Sequence, residues 1–348
     1  MRIYKDHIIL TGSKVKEALL MLNELDQDTI LFVVDLEEKL IGALTDGDIR
    51  RGLIKGFTID NYIDDIIQSN PKYITKGENN LDKIIEYREG NFRIVPVVDE
   101  NLKVVNIINF RKIKSYLPID AVIMAGGRGQ RLQPLTDTKP KPLLKVGSKP
   151  IMEHNIDRLA LYGIDDFWVS VKYLGEQIEE YFGYGNEKNI KIQYVWENEP
   201  LGTIGAVSQI QNFDHDYVLI TNSDLLTNID YEQFFLEFIE QKADLAVLTI
   251  PYQVNVPYAV LETADGKVKS FKEKPTYTYY SNGGIYLVKK EMLKFIPRNA
   301  FFNATDLMEI LIKNELRVIS FPFSGYWLDV GKHEDYAKAQ EDIKHIKF

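Results

Sequence analysis

The chain has 348 residues, with 42 Lys plus Arg against 51 Asp plus Glu, a formal net charge of −9 and no cysteine. That length suits two or three domains, and 45% hydrophobic with 27% charged residues is a folded, globular composition. The missing cysteines exclude disulfides, zinc–thiolate centres, iron–sulfur clusters and thiol nucleophiles, and an acidic chain without a basic block argues against nucleic acid as its partner.

No apolar run reaches the roughly 20 residues that span a bilayer, so no membrane segment is expected. Met1 to His7 precede only three apolar residues, which is not a signal-peptide pattern, and a cytoplasmic protein is expected.

The first part of the chain repeats itself. Thr29 to Arg51 reads as strand, turn, strand and helix, and Phe92 to Ser115 follows the same order. Amphipathic stretches over Val15–Leu25 and Leu81–Tyr87 precede the two arms as helices. The repeats run over about 8–56 and 62–115, with Ser69-Asn70-Pro71 as a turn-rich break. Pro118 stops this α+β region, dividing the chain into 1–117 and 118–348.

Beyond Pro118, apolar strands alternate with helical stretches. Strands are expected at Asp120–Ala125, Asp166–Val171, Ile190–Trp196, Tyr217–Thr221 and Leu245–Ile250. Helices are expected at Glu176–Phe182, Ala206–Gln211 and Tyr231–Gln241. Such alternation implies an α/β fold, a mostly parallel Rossmann-like sheet with helices on both faces. After Pro251 the strands shorten, and His333 to Phe348 reads as a charged helix.

The strongest chemical signal follows the Asp120–Ala125 strand: Gly126-Gly127-Arg128-Gly129-Gln130-Arg131-Leu132-Gln133-Pro134-Leu135-Thr136, then Lys139-Pro140-Lys141-Pro142. Glycines let the backbone approach a bulky anion and turn its N–H groups toward it. Arg131 and Lys141 can neutralise phosphate oxygens, one through a planar fork and one as a point charge. A Walker loop would end in Gly-Lys-Ser/Thr, and a dinucleotide fingerprint would place a third glycine where Arg131-Leu132 stands. Asp224 follows the Tyr217–Thr221 strand at its carboxyl end, where a carboxylate either holds magnesium or caps a helix.

This loop resembles the signature of sugar-1-phosphate nucleotidyltransferases, and five further segments match in order. They are Glu197 to Gly205, Thr221 to Asp224, Glu273-Lys274-Pro275, Asn282 to Tyr286 and Trp327 to Gly331. The resemblance covers about 120–348. It implies a nucleotide site at Ala125, Gly126, Gly127, Gly129, Glu197, Gly202 and Asp224. It implies a sugar-phosphate site at Tyr258, Glu273, Lys274, Asn282 and Gly283. Arg131, Lys141, Asp224 and Asp329 become the catalytic residues, with Asp224 and Asp329 as Mg2+ ligands. The implied reaction joins a nucleoside triphosphate to a sugar 1-phosphate and releases pyrophosphate.

Gly42 to Arg50 resembles the end of a CBS domain, a family in which the positions of Thr45 and Asp48 hold the ribose of an adenine nucleotide. The second arm departs from that pattern at Asn106, Asn109 and Lys112. CBS pairs associate face to face, so a homodimer or tetramer is expected. A CBS pair ahead of such a catalytic domain resembles the guanylyltransferases of legionaminic acid pathways, which use GTP and glucosamine 1-phosphate. Uridylyl- or thymidylyltransferases and mannose- or heptose-1-phosphate guanylyltransferases are alternatives. A non-catalytic nucleotide sensor is the alternative of another class.

Overall fold

The two repeats of the sequence are repeats of structure. In the computed structural model, which describes residues 3–77 and 81–346, each repeat builds a small three-stranded sheet. The first contains β1 (Ile8–Leu10), α1 (Val15–Glu24), β2 (Ile30–Val34), β3 (Leu40–Thr45) and α2 (Asp46–Ile54). The second contains β4 (Ile74–Thr75), α3 (Leu81–Glu89), β5 (Ile94–Val98) and β6 (Val104–Asn109). In both sheets the first two strands are parallel and the last two antiparallel. Register shifts recur at Val33/Val34 and Val97/Val98, before turns in which Asp35 and Asp99 accept from the amides of Lys39 (2.9 Å) and Lys103 (2.8 Å). A short aspartate that bonds its own turn explains why both copies bend at this point.

Two features differ from the sequence reading. Each repeat opens with a short strand, β1 or β4, that too few residues announce. The expected final helix of the second repeat is a single turn, in which the Ile113 amide bonds the Asn109 carbonyl at 3.0 Å. The chain then leaves to donate from Lys114 to the Leu161 carbonyl, which docks it on the rest of the molecule.

The second part begins with β7 (Ile119–Met124), a short hairpin of β8 (Lys145–Val146) and β9 (Lys149–Pro150), α4 (Ile151–Ala160) and β10 (Asp166–Val171). It continues with α5 (Gly175–Phe182), β11 (Lys191–Trp196), β12 (Tyr217–Asn222), β13 (Leu225–Thr227) and α6 (Tyr231–Glu240). Last come β14 (Leu245–Asn255), β15 (Val260–Ala264), β16 (Lys267–Lys272), β17 (Thr276–Lys289), α7 (Ala304–Lys313), β18 (Val318–Pro322), β19 (Trp327–Asp329) and α8 (His333–Asp342). The central sheet has the order β11-β10-β7-β12-β17-β14-β18 and is mostly parallel, with β17 antiparallel to both neighbours. The inner strand β7, between β10 and β12, is buried along almost its whole length, as a parallel strand covered on both faces must be. The expected helix at Ala206–Gln211 is a short 3-10 turn, Gly205–Gln209, crowded by the Ala300 carbonyl, which a Cβ on Gly205 would meet at 2.7 Å.

The second repeat shares a core with this sheet: Ile74, Ile84, Val95 and Ile108 pack in one cluster with Leu117, Ile119, Tyr162 and Phe234. Polar contacts rim that junction. Lys76 pairs with Asp166 (3.0 Å), Arg88 grips Glu232 with two bonds of 2.9 Å, and Asn106 donates to Asp165 (2.8 Å). Nearby, at the amino ends of β7 and β10, Asp120 accepts from the amides of Asp214 (3.3 Å) and His215 (2.7 Å). Burial still pushes the Asp120 carboxyl up to about 6. Burial opposes ionisation of Asp166 too, but His215 and Lys76 together hold that carboxyl below the usual range.

Beyond Ile250 the β14–β17 pair leaves the body as an arm tipped by the β15–β16 hairpin. No residue from 251 to 281 is buried. Among the described residues, no helix is long and apolar enough to cross a membrane.

Candidate active site

The parallel strands end at one level. Met124 at the end of β7 lies opposite Ser170 of β10 and Asn222 of β12, and Val171 lies opposite Trp196 of β11. Everything that follows those ends gathers at the carboxyl edge of the sheet, where open α/β sheets collect ligands.

The glycine loop follows β7. Gly129 has φ of 66°, a conformation glycine adopts without strain, and a Cβ there would press on Lys141 and Thr136 at 3.1 Å. The Thr136 hydroxyl donates to the Gly129 carbonyl (2.9 Å), which ties the loop to the segment carrying Lys141. Lys141 opens a 3-10 turn, is buried, and donates to Asp224. Its ammonium also stands 3.9 Å from Asp329.

The two aspartates are neighbours because β13 and β19 pair antiparallel, with Leu225 opposite Asp329 and the Val330 amide donating to the Asp224 carbonyl (3.0 Å). Burial raises the Asp329 carboxyl above its ordinary range, helped by the charge of Asp224, while Lys141 and Arg131 pull it down. One oxygen on each carboxylate, Oδ1, is buried without a hydrogen-bond partner. Buried carboxylate oxygens without donors suit a hard divalent cation that takes oxygen ligands and keeps its waters, so this pair fits Mg2+.

Around these groups lies a cavity of about 540 Å³ whose walls include Gly127, Gly129, Arg131, Lys141, Asp224 and Gly331. An adjoining cavity of about 760 Å³ shares Met124, Gly127, Arg128 and Asn222 and is completed by Gly126, Glu197, Gly202 and Thr203. Glu197 is buried; it accepts from the Ser170 hydroxyl and from the Leu201 amide (3.1 Å). A Cβ on Gly126 would sit 2.5 Å from Glu197 Oε1, so only glycine lets the loop lie against this wall. Gly202 has φ of 79°, and its missing side chain leaves room for the Phe302 backbone. Ala125 is buried beneath the loop, donating its amide to the Ser170 carbonyl (2.9 Å), and lines neither cavity.

None of the residues that the resemblance placed at a sugar phosphate lines either cavity. Asn282 is exposed and donates to Tyr286 (2.8 Å), the Gly283 carbonyl accepts from the Trp327 indole (2.8 Å), and β17 meets the site at Gly284, where a Cβ would stand 2.8 Å from Asn222. Tyr258, Glu273 and Lys274 lie exposed on the arm.

Thr45 and Asp48 form the capping box of α2, with the Thr45 hydroxyl donating to Asp48 at 2.6 Å. Gln68 (2.8 Å) and Arg51 occupy the other Asp48 oxygen. Their counterparts Asn109 and Lys112 line a cavity of about 420 Å³ between the second repeat and the sheet, beside Asp28, Asp157 and Asp165.

Sequence reasoning singled out neither Asn222 nor Arg128 as site residues. Asn222 stands at the end of β12 two positions before Asp224, and Arg128 lies inside the glycine loop with its guanidinium 5.5 Å from the Tyr173 ring. Their adjacency to Asp224 and to the loop glycines was the available signal.

Comparison with known proteins agrees with this geometry. The family model described as nucleotidyl transferase matches residues 120–346. A D-glycero-alpha-D-manno-heptose 1-phosphate guanylyltransferase of Aneurinibacillus thermoaerophilus is 32% identical over 231 residues, 65% of this chain and 99% of that protein. A UTP–glucose-1-phosphate uridylyltransferase of Synechocystis is 30% identical over 252 residues, 65% of each chain. The crystal structure of HddC from Yersinia pseudotuberculosis, complexed with GMP-PN, aligns with a TM-score of 0.50 at 27% identity, over 64% of this chain and 99% of that one. The matched segment runs from the strand that presents the glycine loop to beyond α8, and the chain belongs to the nucleotidyl transferase family.

Proposed function

We propose that the protein transfers a nucleotidyl group from GTP to a hexose 1-phosphate, with glucosamine 1-phosphate the favoured acceptor, and releases pyrophosphate. The observation that carries the class of reaction is the buried ammonium of Lys141 between Asp224 and Asp329 at the mouth of the glycine loop. Positive charge and a cation-ready carboxylate pair stand where a triphosphate held by loop amides would present its reacting phosphorus.

An oxygen of the sugar phosphate attacks the α-phosphorus, a new phosphoanhydride bond forms, and the bond to the β-phosphate bridging oxygen breaks. The attacking group is already an anion, so no general base is needed. The work of the chain is positioning and charge stabilisation. The amides of Gly127 and Gly129 and the side chain of Arg131 hold the triphosphate. Lys141 neutralises charge that moves onto the leaving group. Asp224 and Asp329 would hold Mg2+, which supplies Lewis-acid stabilisation of the phosphate oxygens. The cavity walled by Gly126, Glu197 and Gly202 takes the base, and the resemblance alone assigns Asn282 to the sugar.

The guanylyltransferase relative and the guanine-nucleotide complex of HddC favour GTP, while the uridylyltransferase relative keeps UTP as the second reading. The two-repeat unit ahead of the sheet, with its resemblance to a CBS pair, favours glucosamine 1-phosphate. An adenine nucleotide at Thr45 and Asp48 would have to replace Gln68 or Arg51 on the Asp48 carboxylate. Four nucleoside triphosphates assayed against glucosamine, glucose, mannose and heptose 1-phosphates for pyrophosphate release test the assignment. The expected result is turnover highest for GTP with glucosamine 1-phosphate; preference for UTP or dTTP would overturn the base.

A further inference from the structure

Ahead of α7 the chain turns at Asn299, whose φ of 52° lies in the left-handed region that Asn tolerates. The residues that follow are zipped to the loop between β11 and β12. The Phe302 amide donates to the Leu201 carbonyl (2.9 Å), and the Ile204 amide donates to the Phe302 carbonyl (3.1 Å). Farther on, the Ala304 amide donates to the Thr203 hydroxyl (2.8 Å), and the Thr203 amide to the Asn303 side chain (3.2 Å). Both glycines of that loop serve this contact. A Cβ on Gly202 would meet the Phe302 carbonyl oxygen at 2.6 Å, and one on Gly205 the Ala300 carbonyl oxygen at 2.7 Å.

The two phenylalanines carried by this segment part ways. Phe302 is buried in a core cluster with Leu201, Ile204 and Leu307. Phe301 is 64% exposed and lines the cavity of about 760 Å³ that has Glu197 and Gly202 in its wall. A single exposed phenylalanine is ordinary on a protein surface. This one borders a ligand-sized cavity, on backbone that its neighbours hold in place.

We propose that Phe301 stacks on the nucleobase of the substrate and completes the base subsite. The inference rests on the nucleotidyltransferase reading, which puts the base in that cavity. Glu197 already accepts from Ser170 and Leu201, and a carboxylate addresses only the polar edge of a base. The broad faces of a base need an aromatic surface. The other ring in that wall, Tyr173, has the Arg128 guanidinium 5.5 Å from its centre and donates its hydroxyl to the carbonyls of Thr136 (3.1 Å) and Asp137 (3.0 Å). Phe301 is thus the ring left open for a base to cover. Stacking is indifferent to the hydrogen-bonding edge, so Phe301 adds affinity for any base and leaves the choice of base to the polar wall.

Phe301→Ala and Phe301→Tyr, titrated beside the wild type with GTP, UTP and tripolyphosphate in a calorimeter, test the proposal. Phe301 is exposed, so both variants should keep the wild-type thermal midpoint. In Phe301→Ala the Kd for GTP should rise roughly tenfold or more, and the Kd for UTP by the same factor. The Kd for tripolyphosphate, which has no base, should not change. KM for GTP should rise in step while KM for the sugar 1-phosphate stays, and Phe301→Tyr should restore the wild-type values. An unchanged Kd for GTP in Phe301→Ala would overturn the proposal. So would an equal weakening of tripolyphosphate, which would place the effect in the shape of the loop, or a loss confined to one nucleotide. A wild type that binds neither nucleotide would overturn it together with the reading beneath it. If the wild type binds GTP but releases no pyrophosphate with any sugar 1-phosphate, the nucleotidyltransferase reading fails while calorimetry still decides the role of Phe301.

Discussion

Asp224 and Asp329 are held side by side by main chain rather than by their side chains: the amide of Val330 bonds the carbonyl of Asp224 at 3.0 Å, and Leu225 pairs with Asp329 across the β13–β19 ribbon. The main chain thus sets their neighbourhood, Lys141 bonds one oxygen of Asp224, and each carboxylate keeps a buried oxygen without a donor. Asp224→Asn and Asp329→Asn should therefore fold with wild-type circular dichroism. Turnover should fall by roughly 100-fold or more, the order seen when a group that stabilises transition-state charge is removed. Magnesium should raise the thermal midpoint of the wild type and not of either variant.

Lys141 is the counter-charge of that pair, and its removal has a signed consequence. Its ammonium pulls the Asp329 carboxyl down against burial and Asp224. In Lys141→Met that restraint is gone, so Asp329 protonates at higher pH. The acid limb of the pH–rate profile should move upward, with turnover reduced roughly 10²–10³-fold at its maximum. An acid limb left in place would show that Lys141 does not act on Asp329.

On the base side, Glu197 accepts two hydrogen bonds while buried. Glu197→Gln can keep the Leu201 amide on its carbonyl while its NH2 donates to a turned Ser170 hydroxyl, so it loses only the charge assistance of the two bonds and should cost about 1 kcal/mol of stability. Gly126→Ala adds a methyl group 2.5 Å from the same carboxylate, so it should raise KM for the nucleoside triphosphate and leave KM for the sugar phosphate unchanged. Urea melts and initial-rate kinetics on the two variants check this.

At the junction, Asp120 ties the carboxyl chemistry to pH. Its carboxyl rises from 3.8 to about 6 on folding, chiefly by burial. Between those values the folded chain binds more protons at this site than the unfolded one, so its contribution to stability is present at low pH and lost as pH rises through about 6. Asp166 works in the opposite sense, since its lowered carboxyl favours the fold above the ordinary carboxylate range. Relative to the wild type, Asp120→Asn should gain about 2 kcal/mol as pH goes from 4 to 7. Thermal midpoints of both proteins across that range measure it.

Residues 1–117 contain none of the proposed catalytic groups, yet their removal should not be silent. It would strip Ile74, Ile84, Val95 and Ile108 from a shared core and leave Asp165 and Asp166 without Asn106 and Lys76. The apolar surface thereby returned to water had stabilised the fold by roughly several kcal/mol. The truncated chain should retain nucleotide binding but melt at least several degrees lower, which differential scanning calorimetry measures.

Much of this was legible in the residues. The parallel strands Asp166–Val171 and Tyr217–Thr221 announce themselves as short apolar runs, the second ending one residue later in the structure, and the spacing of glycines, Arg131 and Lys141 is the pattern from which an anion site was expected. The pairing of Asp224 with Asp329 came only from the family resemblance, because it depends on a three-residue ribbon between segments far apart in sequence. Local pattern cannot express that. The arm was hidden for a different reason. Tyr252, Tyr279 and Phe271 look like core residues in a sequence, and only the fold shows them in solvent. Thr45 and Asp48 carry a pattern that serves a ribose and a helix cap equally well, and in the structure they form the cap.

The central claim is that the lysine-bridged aspartate pair beside the glycine loop performs nucleotidyl transfer to a sugar phosphate. The most direct measurement is pyrophosphate release from GTP by purified wild type and Asp224→Asn, with and without glucosamine 1-phosphate, in the presence and absence of magnesium. The account predicts release only in the wild type, and only when both sugar phosphate and magnesium are present. Equal release by Asp224→Asn, or release independent of any sugar 1-phosphate, would contradict it.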